Sequence, residues 1–283
     1  MIETWRWFGP SDPVNLREIR QAGATGIVTS LHDIPAGDVW SEAAIAQRKD
    51  LLAEHGFNWA VVESVPVHNE IKAGGPMAER LLVNYCETLR NLGAQGVGVV
   101  CYNFMAVVDW TRTNLRFSTA NSSLTLRFDI TEFAAYDIYI LRRPGAADDY
   151  TAEVCDTAAE LARHMGEAEQ HALEQNIIAG LPGGYGSYSR SEILSAIERF
   201  RALGDDGLRT NLYAFLDRVL PVAEAAGVRL CIHPDDPPFS LFGLPRVMST
   251  AKDARDLLER FPGVANGLTL CAGSFGARGD NDL

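Results

Sequence analysis

Val228-Arg229-Leu230-Cys231-Ile232-His233-Pro234-Asp235-Asp236-Pro237-Pro238 reads as a strand that stops on a histidine. The apolar run favours extended backbone. The prolines that follow fix φ and remove backbone donors, so the ladder ends there and the imidazole stands at a strand end. Gly96-Val97-Gly98-Val99-Val100-Cys101-Tyr102-Asn103-Phe104 is nearly all apolar, as a parallel strand covered on both faces should be. Outward from these two, strands are expected over 4–8, 26–31 and 57–64, and a sixth from Gly267 ends at Cys271. Helices are expected between them: 12–22, capped by Ser11 or Asp12 with Pro13 in its first turn; 41–55 behind Ser41; 77–92, ending at Gly93; and 251–260.

Strands alternating with helices predict an α/β protein with a parallel sheet, of the TIM (β/α)8 barrel type, whose active sites lie at the C-terminal ends of the strands. About six strands are visible, so the barrel is expected to be incomplete at its C-terminal side or covered by a partner, since open apolar edges are a liability. Between 105 and 226 the regular spacing breaks for far longer than one crossover needs. This stretch is expected to be a helix-rich insertion after strand four, inside a single domain spanning 1–283. It holds the short alternating segment 124–128, a glycine-rich loop over 180–186, and helices over 191–203 and 208–226.

With 283 residues, 47% hydrophobic and 22% charged, the chain can bury a sizeable core. A formal charge of −12 repels a phosphate backbone, so nucleic acid is not an expected partner. The five cysteines (Cys86, Cys101, Cys155, Cys231, Cys271) are odd in number and contain no C-x-x-C pair, which points to a reducing, cytoplasmic setting. No basic leader precedes an apolar stretch, and no apolar run reaches the roughly 18 residues needed to span a bilayer, so no membrane partner is expected.

Imidazole and thiol from the ends of consecutive strands make His233 and Cys271 candidate ligands of a divalent metal. Asp235 and Asp236 suit an imidazole-orienting role and an Asp-Pro turn equally well. Cys101 and Cys231, within strands, read as core, as do Trp5 and Trp59. His32 and Asp33 follow strand two; Glu63, Ser64 and His68 follow strand three; Tyr102 and Asn103 close strand four. Each alone suits a loop or cap, but together they gather polar groups at one face. Arg6 suits a carboxylate partner. From these, Arg6, His32, Glu63, Tyr102, Asn103 and Asp235 are the expected substrate-binding set. Gly96-Val97-Gly98 lacks the third glycine of a dinucleotide fingerprint, and neither a phosphate loop nor a G-x-S-x-G elbow is present.

Several long motifs occur in order along the chain: Thr4-Trp5-Arg6-Trp7-Phe8-Gly9-Pro10, Gln21-Ala22-Gly23-Ala24-Thr25-Gly26, Val62-Glu63-Ser64-Val65-Pro66-Val67-His68, Cys101-Tyr102-Asn103-Phe104-Met105, Asp109-Trp110-Thr111-Arg112-Thr113, Asn176-Ile177-Ile178-Ala179-Gly180-Leu181-Pro182-Gly183, His233-Pro234-Asp235-Asp236-Pro237-Pro238 and Asn266-Gly267-Leu268-Thr269-Leu270-Cys271-Ala272-Gly273-Ser274. The set resembles the mannonate dehydratase family, which is similar to xylose isomerase-like barrels. The resemblance implies a lyase of hexuronate (glucuronate) catabolism that removes water from D-mannonate to give 2-dehydro-3-deoxy-D-gluconate, using Mn2+ or Fe2+. It implies His233 and Cys271 as two of the metal ligands. It places the remaining ligands, and the His and Tyr that exchange protons with substrate, past Leu283, so no catalytic acid or base is assigned within the chain. The implied partner is a small sugar acid, and a homo-oligomer is the expected state. The competing readings are a sugar isomerase or epimerase on a similar barrel, and a non-catalytic barrel fragment.

Overall fold

The computed structural model describes residues 1–179 and 189–282; the glycine-rich loop expected over 180–186 lies outside the described residues. In chain order the strands are β1 (Thr4–Arg6), β2 (Gly26–Thr29), β3 (Asn58–Glu63), β4 (Val99–Tyr102), β5 (Asn114–Ser118), β6 (Leu124–Arg127), β7 (Arg229–Ile232) and β8 (Asn266–Leu268). The helices are α1 (Leu16–Gln21), α2 (Glu42–Glu54), α3 (Asn69–Lys72), α4 (Ala78–Ala94), α5 (Ile130–Ala135), α6 (Ala152–His164), α7 (Glu167–Ala179), α8 (Arg190–Ala225), α9 (Ala251–Arg260) and α10 (Ala272–Phe275). Six strands form one sheet in the order β1-β2-β3-β4-β7-β8, and every pairing in it is parallel. The order never reverses, so each crossover steps to the next strand in the same direction, unlike a doubly wound sheet with its switch point.

The chain forms two compact units. One comprises 1–104, 205–238 and 246–283 and contains the sheet; the other comprises 105–204 and 239–245. The insertion expected over 105–226 therefore differs from the compact unit at its far end. The helical run of α8 breaks at Gly204, whose φ of 67° is easy only for glycine, and the part after it packs with the sheet. Phe215 on that part meets the rings of Tyr85, Tyr102 and Phe104 at 5.1, 5.5 and 5.7 Å. Such ring pairs add about 0.5–1.5 kcal/mol each beyond the area they bury.

The second unit holds the antiparallel hairpin β5–β6, α5, α6, α7 and the first part of α8. Its core stacks Phe133 against Phe242 at 4.6 Å and Phe128 against Phe133 at 5.6 Å. A buried ion pair ties its turns: Arg143 Nε and Nη2 donate to the two carboxylate oxygens of Asp137 at 2.8 and 2.6 Å, and Tyr150 Oη donates to Asp137 at 2.8 Å. Strand β5, Asn-Leu-Arg-Phe-Ser, was not expected, because its register breaks between Asn114 and Phe117 and its pattern is not a clean alternation.

Local chemistry sets the helix ends. Helix α1 starts later than expected, at a capping box in which Asn15 Oδ1 accepts from Glu18 N and the Glu18 carboxylate accepts from Asn15 N. Asp12 instead takes Phe8 N and Val14 N at 2.8 and 2.9 Å, which closes the turn before the helix. Ser41 caps α2 through Ala44 N, and a Thr250–Asp253 box opens α9. Helix α4 runs through Gly93, where a Cβ would lie 2.3 Å from the Ala226 carbonyl oxygen. Gly93→Ala is accordingly expected to destabilise by about 1–3 kcal/mol despite its better helix propensity, read as a lower urea midpoint with unchanged m. An unchanged midpoint would show that the backbone at 226 yields freely.

At the sheet edges, Trp5 on β1 is 40% exposed and Leu270 just past β8 is 81% exposed. Trp5 was expected in the core; it is exposed because β1 has a neighbour on one side only. Among the described residues no helix is long and apolar enough to cross a membrane.

Candidate functional site

Because the six strands are parallel, the residues that end them collect along one edge of the sheet. Side chains alternate between faces along a strand. Glu63 is the register partner of Cys101, and Cys101 of Cys231, so these three share a face, while Tyr102 turns to the opposite one.

Arg6 lies on the face of Glu63. Its Nε is 3.8 Å from Glu63 Oε2, its Nη1 donates to the Glu63 carbonyl, and its guanidinium sits 5.0 Å from the Phe8 ring centroid. Burial pulls the Arg6 pKa down, and the Glu63 charge opposes that pull. On the other side of Phe8, with ring centroids 6.1 Å apart, is His32. Both ring nitrogens of His32 are buried with no hydrogen-bond partner. Burial, then the charges of Arg6 and Arg48, hold its pKa down at about 4, so the ring is neutral near pH 7. The unfolded chain protonates this histidine near 6.5 and the folded one resists until about 4. Stability is therefore expected to fall as pH drops through that window and to level below it. An NMR titration of the His32 ring should give a midpoint near 4, and a midpoint near 6.5 would contradict the burial argument.

His233 follows β7 and is 7% exposed; its backbone N donates to the Tyr102 carbonyl at 2.7 Å. Its Nδ1 lies 2.7 Å from the Pro234 carbonyl oxygen. A carbonyl only accepts, so Nδ1 carries the proton and Nε2 keeps its lone pair, the arrangement usual for a metal-ligating histidine. Cys271, just before α10, hydrogen-bonds the His233 side chain, and its Sγ lies 3.2 Å from Ser274 Oγ. The bond from His233 acts against burial, and together with Ser274 it holds the thiol down at about 7. In return, burial pulls His233 down but the bonds to Cys271 and to the Pro234 carbonyl outweigh it, leaving it raised. The donor set, a tautomer-fixed imidazole beside an easily ionised thiol, fits two positions on a divalent transition metal. Among the described residues no group of three such side chains is gathered.

Asn103 follows Tyr102 and is 3% exposed; its Oδ1 accepts from Lys72 Nζ at 3.4 Å. Asp235, 1% exposed, binds its own loop: Oδ2 accepts from Val247 N, Met248 N and Ser249 Oγ at 3.1, 2.7 and 2.8 Å. That places it as the brace behind His233, so its expected contact with substrate is replaced by a structural one. Tyr102 is also corrected: it is fully buried against Phe215, and desolvation pushes its phenol pKa well up. The outward turn of strand alternation removes it from the site face. Asp33 and His68 serve structure, the first 3.8 Å from Arg48 and the second accepting Glu70 N to cap α3.

Two features were not legible. Cys101 and Cys231, expected as plain core, are hydrogen-bonded to each other on the site face, with Thr269 Oγ1 3.2 Å from Cys101. Lys72 sits 3% exposed in a four-residue helix where a lone lysine reads as surface. Its only sequence signal is its place just behind the polar end of strand three.

A continuous parallel sheet that brings an imidazole, a thiol and an Arg-Glu pair to its C-terminal edge defines an α/β enzyme with a metal-competent site. The chain belongs to the D-mannonate dehydratase (UxuA) family, whose model matches residues 1–283. It is 55% identical over 283 residues to a mannonate dehydratase of Saccharophagus degradans, covering 100% of this chain and 71% of that protein. It is 52% identical to mannonate dehydratase 2 of Agrobacterium fabrum, with the same coverage. The crystal structure of mannonate dehydratase from Streptococcus suis serotype 2 aligns with a TM-score of 0.74 at 33% identity, covering 100% of this chain and 67% of that one.

Proposed function

We propose that this chain is a hydro-lyase that takes D-mannonate to 2-dehydro-3-deoxy-D-gluconate, with Mn2+ or Fe2+ held in part by His233 and Cys271. The observation that carries the reading is the His233–Cys271 pair in a chain of this family. A bound divalent cation supplies Lewis acidity, stabilising the charge that builds when a proton leaves the carbon next to a carboxylate. The chain's own residues prepare that site. The Pro234 carbonyl orients His233, and Ser274 with His233 keeps Cys271 near ionisation. Neutral His32 offers one N–H and one lone pair to sugar hydroxyls, and the Phe8 ring between it and Arg6 excludes water from one side. Glu63 and Asn103 supply acceptors for further hydroxyls.

The test is product formation. The purified chain with Mn2+ and D-mannonate is assayed for a 2-keto-3-deoxy acid beside the Saccharophagus degradans relative as reference. Formation of that acid supports the reading. A ketose or epimer without dehydration would overturn it in favour of an isomerase or epimerase.

A further inference from the structure

Lys72 is a fully formed cation taken almost wholly out of water, at 3% exposure, on a helix only four residues long. Ammonium groups are seldom buried this far without a task, because desolvation disfavours the charge. The helix is built to hold it there. His68 caps the start of α3, and Asn211 Nδ2 donates to the Lys72 carbonyl at 2.9 Å, fixing the backbone from which the side chain extends. Its Nζ reaches Asn103 Oδ1 at 3.4 Å. Asn103 directly follows Tyr102, whose carbonyl accepts from His233 N, so the ammonium stands at the strand-end edge beside the residue that leads to the candidate metal ligand. The other cation of this face, Arg6, already faces Glu63.

Resting on the proposed sugar-acid reading, we infer that Lys72 is a substrate-binding residue that pairs with the carboxylate of the sugar acid, with Asn103 steering the ammonium. The pairing distinguishes an aldonate from a neutral polyol of the same stereochemistry. A hydrogen-bonded charge pair in a site this dry contributes about 10- to 100-fold in affinity.

The test is calorimetric binding with Mn2+ present, using D-mannonate, D-gluconate, D-galactonate and the neutral D-mannitol on wild type, Lys72→Met and Lys72→Arg. Lys72→Met is expected to lose about 10- to 100-fold for the aldonate that wild type prefers while its D-mannitol affinity is unchanged, and Lys72→Arg to recover part of the loss. Far-UV circular dichroism and thermal melts verify that the variants fold; should Lys72→Met fail, Lys72→Gln takes its place. Equal aldonate affinity in folded wild type and Met or Gln variants overturns the assignment, as does a wild type that binds no aldonate better than D-mannitol. A Lys72-dependent preference for gluconate or galactonate over mannonate upholds Lys72 and removes the mannonate reading instead.

Discussion

His233→Ala is expected to reduce dehydration by about 10³-fold or more, and to lower the metal retained through gel filtration. Metal stabilisation of a developing charge is worth several kcal/mol, and each 1.36 kcal/mol is tenfold in rate. The substitution also leaves Cys271 without the bond that holds its thiol near ionisation, so the two donors fail together. Cys271→Ser should fall in the same direction by a smaller factor, since an alcohol ionises far less readily than a thiol. Metal content by atomic emission and the keto-acid assay read both effects. A His233→Ala protein with unaltered metal content and turnover would place the metal elsewhere. Fold is not the expected casualty, because His233 contributes its backbone N–H to the Tyr102 carbonyl whatever its side chain.

The second large effect concerns stability. Asp137→Ala should destabilise the unit containing Arg143 by about 3–5 kcal/mol, the penalty for removing one partner of a buried ion pair. The side chains of Arg143 and Asp137 are 3% and 0% exposed, so water does not replace the lost carboxylate. Tyr150 loses the acceptor for its hydroxyl as well. Asp149, 2.7 Å from Arg143 but 28% exposed, compensates only in part. Urea unfolding followed by fluorescence measures the loss, and a change under 1 kcal/mol would mean that solvent reaches Arg143 in the folded protein.

How far the sequence could be read differs between these two places. His233 and Cys271 were legible because prolines and a glycine-rich end punctuate their strands, and strand ends of one sheet share an edge once the sheet is parallel. The Asp137–Arg143 pair was not, because it arises within an irregular run where no period of 2 or 3.6 operates. Tyr102 and Asn103 show the intermediate case. The end of their strand was correctly expected, but which of two adjacent polar residues faces the site depends on register, and a one-residue shift exchanges them.

By itself the sequence determined the class of the fold, the alternation of strands and helices, the break in spacing at 105, and the family, since these reside in local pattern and in long ordered motifs. Only the tertiary structure decided that Tyr102 packs away from the site, that Asp235 braces its own loop, and that Lys72 is buried beside Asn103. The reason is physical. Local propensity sets which segments are strands or helices, while the direction, burial and partner of each side chain follow from register and from contacts between residues far apart in the chain.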